Sequence, residues 1–80
     1  VQLVSSGDIN KDDLRSEDAF VVDQGDHVFV WIGSRASEDE QKNALPMAHF
    51  YMQQTDHPFA PTTVIHEGKG ESKEFDAAFQ

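Results

Sequence analysis

Two acidic residues stand where a hairpin and a helix could bring them together. Asp18 precedes an apolar run, Ala19-Phe20-Val21-Val22. Glu40 lies in the acidic stretch Ser37-Glu38-Asp39-Glu40, which follows a second apolar run, His27-Val28-Phe29-Val30-Trp31-Ile32. Hard divalent cations such as calcium are held by clustered carboxylate and carbonyl oxygens. Asp18 and Glu40 would supply the carboxylates, and the backbone carbonyl of Glu17 a third ligand. The competing reading is local: Glu40 only caps its helix, and Asp18 is solvated.

Other chemistries find less support. Asp8-Ile9-Asn10-Lys11-Asp12 begins like a helix-loop-helix calcium loop, but Asp13 stands where glycine is required and Ala19 where the closing glutamate belongs. His27, His49, His57 and His66 lack the helical i,i+4 spacing of a zinc pair. There is no serine in a nucleophile elbow and no cysteine. Gly68-Lys69-Gly70-Glu71-Ser72 has too few glycines, in the wrong order, for a phosphate loop. Asp56-His57 would matter to catalysis only beside a nucleophile, and none is indicated. The pattern argues against an enzyme.

A docking surface is the other candidate. The outer side of the long helix carries Asn43, Phe50 and Gln54, with Met47 at the edge of the buried arc. An exposed Phe50 would anchor a partner protein. Alternatively, a kink at Pro46 turns Phe50 into the core.

The elements that must position these residues follow from periodicity. Val1 to Ser5 reads as a short strand, and Gly7 to Arg15 as a polar turn region anchored by Leu14. Ala19 to Val22 and His27 to Ile32 form a hairpin across Asp23-Gln24-Gly25-Asp26. The second strand is apolar on both faces, Val28, Val30 and Ile32 on one and Phe29 and Trp31 on the other, so both faces must be covered. Ser37 is the expected N-cap, with Glu40 completing a capping box. One helix then runs to about Gln54, bent at Pro46, with Ala44, Leu45, Met47, Ala48, Tyr51 and Met52 on one arc. Asp56 to Pro61 is a turn, Thr62 to His66 a third β-branched strand, and Ser72 to Phe79 a short final helix with Phe75, Ala78 and Phe79 on one side. A central sheet with one helix on each face satisfies this pattern.

Eighty residues make one domain, which buries about 60% of its unfolded surface. Fifteen acidic against six basic residues give a formal net charge of -9, so nucleic acid and anionic membrane are poor partners, while cations and basic protein patches are better ones. No run approaches the roughly 20 apolar residues of a membrane span. The absence of cysteine suits a reducing compartment. The chain starts at Val1 and reads as a piece of a larger protein.

Taken in order, Ser16-Glu17-Asp18-Ala19-Phe20-Val21-Val22-Asp23, Val28-Phe29-Val30-Trp31-Ile32-Gly33, Ala36-Ser37-Glu38-Asp39-Glu40-Gln41-Lys42-Asn43-Ala44 and Val64-Ile65-His66-Glu67-Gly68-Lys69-Gly70-Glu71-Ser72-Lys73-Glu74-Phe75 resemble the gelsolin/villin/severin repeats. These repeats cap, sever or bundle actin filaments. The resemblance runs from about Leu14 to Phe79 and is greatest to the third repeat. It implies a gelsolin-like α/β fold, a central mixed β-sheet sandwiched between one long and one short helix. It implies a single repeat of a multi-repeat, cytoplasmic, cytoskeletal protein, with actin and neighbouring repeats as partners. It also implies a calcium site at the Glu17 carbonyl, Asp18 and Glu40, with a further carboxylate often supplied after the short helix. Two departures stand out. Tyr51-Met52-Gln53-Gln54 lacks the late-helix aspartate with which the strongest actin-binding repeats share a calcium with actin, and Pro46 is unusual in a helix that lies in an actin cleft. Both favour a supporting repeat over the main actin clamp.

Overall fold

The computed structural model describes residues 1–69 and 73–77. Along the chain come β1 (Gln2–Ser5), a 3-10 turn (Lys11–Asp13), β2 (Ala19–Asp23), β3 (Val28–Ile32), α1 (Glu38–Met52), β4 (Thr62–His66) and α2 (Lys73–Ala77). The strands form one sheet in the order β1-β2-β3-β4. β2 and β3 are an antiparallel hairpin with Val21 opposite Val30. β1 runs parallel to β2, and β4 parallel to β3. Gly25 sits in the hairpin turn at φ 99°, a conformation that costs residues with a Cβ dearly.

Every residue of β2 and β3 is buried. Pleat alternation divides them between two cores. Ala19, Val21, Val28, Val30 and Ile32 meet Ala44, Ala48 and Met52 of α1. Phe20, Val22, Phe29 and Trp31 face the other way, against Ile65 and Phe75, with Val4, Ile9 and Leu14 at the margin. Phe75 of α2 packs edge-on against Phe29, with ring centroids 5.3 Å apart. One helix therefore covers each face, as the doubly apolar β3 demands, and Leu14 anchors the preceding loop as expected.

α1 departs from expectation in detail. It passes Pro46 as a single helix, as expected, but ends at Met52 rather than Gln54. Ser37 caps it, accepting the Glu40 N–H at 3.1 Å. The capping box does not close, because the Glu40 carboxylate is used elsewhere. The buried stripe is also narrower than the arc drawn from the sequence. Ala44, Ala48 and Met52 recur every fourth residue and form the contact line, which leaves Leu45 37% and Met47 38% exposed on its flanks. The expected final helix is described over Lys73–Ala77. Ser72, Ala78 and Phe79 lie outside the described residues.

The loop before β2 and the loop after β3 are pressed together at Gly33. Its N–H donates to the Asp18 carbonyl at 3.0 Å, and the Arg35 N–H donates to the Ser16 carbonyl at 2.9 Å. Glu67, just past β4, clamps both loops by accepting the Ser34 N–H at 2.8 Å and the Ser16 hydroxyl at 2.9 Å.

Candidate functional site

Among the described residues, Asp23, which ends β2 and is buried, gathers partners from three separate segments. It accepts the Tyr51 hydroxyl at 2.6 Å and the Gly25 N–H at 2.7 Å. His57 Nε2 lies 3.0 and 2.9 Å from its two oxygens. On the other side of the ring, His57 Nδ1 lies 2.9 Å from Asp56 Oδ1. The end of α1, the loop after it and the β2–β3 turn are thus held at one carboxylate.

The electrostatics agree with this geometry. Burial works to raise the Asp23 carboxyl but is outweighed by hydrogen bonds from Tyr51, Gly25 and His57, which hold it below the ordinary aspartate range. The hydrogen bond to Asp23, with burial adding to it, pushes the Tyr51 phenol up to about 12. His57 is raised above the ordinary histidine value by Asp56 and then by Asp23. A phenol so hard to ionise is the opposite of an activated nucleophile. The cluster is built to hold rather than to react.

Beside it, α1 and β1 border an open apolar groove of about 380 Å³, lined by Leu3, Met47, Phe50, Tyr51, Gln54 and Thr55. Phe50 is 72% exposed, so it does not turn into the core at Pro46. Of the expected docking residues, Met47, Phe50 and Gln54 border this groove; Asn43 is exposed further back along α1. Leu3, Tyr51 and Thr55 were absent from the expected set, because only the fold brings β1 and the turn after α1 alongside the helix.

Of the expected metal ligands, Glu17 and Asp18 directly precede β2, and Glu40 reaches its first residue. Glu40 accepts the Val1 α-amino group at 2.8 Å on Oε2 and at 3.0 Å on Oε1, and Oε2 also accepts the Ala19 N–H at 3.2 Å. The Val1 ammonium, more than the Ala19 N–H, holds the Glu40 carboxyl below the ordinary glutamate range. Asp18 borders a shallow depression with Val4, Ile9, Asp13, Arg15 and Phe20, on the sheet face opposite α1. The Glu17 side chain is exposed, 3.8 Å from Arg35. Among the described residues no three His, Asp or Glu side chains converge in a way that could hold a metal ion. Glu40 thus stands at the head of β2, next to the residue that follows Asp18. Among the described residues no helix is long and apolar enough to cross a membrane.

Comparison with known proteins gives a consistent picture. The family model described as the gelsolin repeat matches residues 1–75. Gelsolin-like protein 2 of Lumbricus terrestris is 41% identical over 76 residues, 95% of this chain and 20% of that protein. Severin of Echinococcus granulosus is 36% identical over 70 residues, 88% of this chain and 19% of that protein. The chain therefore spans about a fifth of the length of these curated relatives. Among solved structures, the Thorarchaeota 2DGel3/rabbit actin complex contains a chain that matches with a TM-score of 0.80 at 30% identity, covering 91% of this chain and 36% of that one.

Proposed function

Because the chain belongs to the gelsolin repeat family, we propose that it is one actin-binding repeat of a longer filament-severing or capping protein of the cytoplasmic cytoskeleton, and that it docks through the groove along α1. It is a binding module, not an enzyme. The observation that carries this reading is Phe50, a large aromatic left 72% exposed beside Met47 and Leu3 on a strongly acidic chain. Contiguous apolar surface of this kind marks a protein-binding site, and a central aromatic commonly dominates its energy. The similar solved chain was crystallised with rabbit actin, which supports actin as the occupant.

The test is binding of the 80-residue chain to monomeric actin. Phe50→Ser should weaken binding by about tenfold or more, with the thermal midpoint barely changed, because the side chain is exposed. Equal binding by Phe50→Ser would sink the groove as the docking surface. No binding by the unaltered chain would sink the actin reading.

A second reading is calcium at the Glu17 carbonyl, Asp18 and Glu40. What favours it is that the Glu40 carboxylate stands at the head of β2, where it accepts the Ala19 N–H. A divalent cation bound there would tie the head of β2 to the first turn of α1. It would have to draw in the Asp18 carboxylate from the depression it borders. Calorimetric titration with calcium, with magnesium as the control, tests this. Saturable calcium binding that disappears in Glu40→Gln and Asp18→Asn supports the reading, and an absence of calcium binding removes it for this chain.

A further inference from the structure

The Asp23 network touches the groove at two points. Tyr51, which borders the groove, donates its hydroxyl to the same Asp23 Oδ2 that faces His57 Nε2. Thr55, which also borders it, accepts the backbone N–H of His57 at 3.2 Å and donates its own hydroxyl to the Met52 carbonyl at 2.7 Å. His57 itself is only partly exposed. Its protonation state follows from its neighbours. A carboxylate can only accept hydrogen bonds, and here each ring nitrogen faces one, Asp23 on Nε2 and Asp56 on Nδ1. Both contacts are hydrogen bonds at once only when both nitrogens carry protons. A neutral ring has a single N–H and would have to let go of one carboxylate.

We infer that Asp23 and His57 are positioning residues for the docking groove, acting through Tyr51 and Thr55, and that the imidazolium form of His57 is the state in which the groove is set for its partner. The inference deepens the docking reading above and rests on it for its consequence in binding. The charged groups acting on the ring are Asp23 from β2 and Asp56 from its own loop. α1 contributes the Tyr51 hydroxyl, and the β2–β3 turn the Gly25 N–H, both through Asp23. When His57 loses its proton, Asp23 keeps its bonds to Tyr51 and Gly25 but is no longer pinned by a cation. The carboxylate, and the phenol attached to it, gain freedom where the groove needs a fixed wall. Affinity should then be highest with His57 charged and should fall as the pH rises through its pKa, which lies above the ordinary 6.5.

The experiment is an NMR titration of the 80-residue chain between about pH 5 and 9, with His57 assigned apart from the other histidines. Actin affinity is measured at both ends of the range. The Tyr51 ring, Thr55 and Met47 methyl signals should move with the midpoint of His57, and should cease to do so in His57→Gln. Actin affinity should be about fivefold tighter at the acid end, a slope lost in His57→Gln and in Tyr51→Phe, which keeps the ring and cuts only the link to Asp23. Circular dichroism confirms that each variant is folded. Groove signals that ignore the His57 titration, or a pH slope that persists in His57→Gln, would overturn the inference. If the groove signals follow His57 while actin fails to bind at either pH, the coupling stands and the actin reading falls.

Discussion

The Tyr51 hydroxyl donates to the Asp23 carboxylate across 2.6 Å, fastening the last turn of α1 to the last residue of β2. The two residues come from adjacent layers, and the bond lies at the margin of the core that α1 covers. A hydrogen bond to a charged acceptor typically contributes about 1.5–3 kcal/mol, and here it also sets the wall of the groove.

Tyr51 is the sole tyrosine, so an absorbance titration reads it without interference. The phenol should ionise near 12. In Asp23→Asn the midpoint should fall toward the unperturbed value of about 10. Because the folded pKa is raised, the associated stability is fully present below the unfolded value of 10 and is lost as the pH climbs through about 12. A wild-type midpoint at the unperturbed value would show that the bond does not form in solution.

The acid limb has the opposite sign. Asp23 is held below its ordinary 3.8, so its contribution is present above that value and lost as the pH falls through the folded pKa. The His57 contribution is present below 6.5 and lost as the pH rises through its raised value. Thermal midpoints measured against pH should therefore differ most between wild type and Asp23→Asn in the window between these two values, the gap closing on the acid side and only narrowing on the alkaline side, where the Tyr51 and Gly25 bonds remain.

Gly33 tolerates no side chain. A Cβ there would lie 2.1 Å from the Ser16 carbonyl oxygen and 2.7 Å from that of Asp18, and both atoms are backbone held by hydrogen bonds. Gly33→Ala should cost about 3 kcal/mol or more, at the far end of what single substitutions do. A melt within a degree or two of wild type would show that the two loops separate easily. Chemical denaturation with an unchanged m-value would identify the loss as one of native stability.

Pro46 lies inside α1 and cannot donate to the carbonyl four residues back. Position 46 is exposed, so replacement costs no packing. Pro46→Ala should stabilise the chain by about 1–2 kcal/mol, below the roughly 3 kcal/mol propensity difference because the helix has already adapted. For a domain of this length that raises the thermal midpoint by about 4–15 °C. A lower midpoint would mean that the backbone geometry Pro46 imposes fits α1 to the sheet.

The double apolarity of Val28 to Ile32 made the two-layered cover legible, and the residues that supply it, Ala48 on one side and Phe75 on the other, lie where periodicity put them. Two features of α1 were not legible. Leu45 reads as buried, and Met47 as the edge of the buried arc, because both are apolar and in phase, but the small side chains of Ala44 and Ala48 make the contact line and leave its flanks in solvent. Glu40 read as half of a capping box, yet its carboxylate reaches the Ala19 N–H, 21 residues away. The Asp23 cluster escaped altogether, because Asp23, Tyr51 and His57 belong to different elements and form no local pattern. One clue was present: a charged residue that closes an otherwise apolar strand, followed by a turn glycine, is a buried acid in search of donors. Asp56-His57 reads in the sequence only as a pair that would matter to catalysis beside a nucleophile.

The sheet joins its margins to its centre by parallel pairing alone. β1 must find β2, and β4 must find β3, after long excursions of the chain, whereas β2 and β3 need only a short turn. The hairpin is the cheapest contact to close, yet it is apolar on both faces and cannot persist uncovered. Its formation and its burial are therefore a single event. Loop-closure entropy for the outer strands enters the folding barrier early, so refolding should be slow for so short a chain.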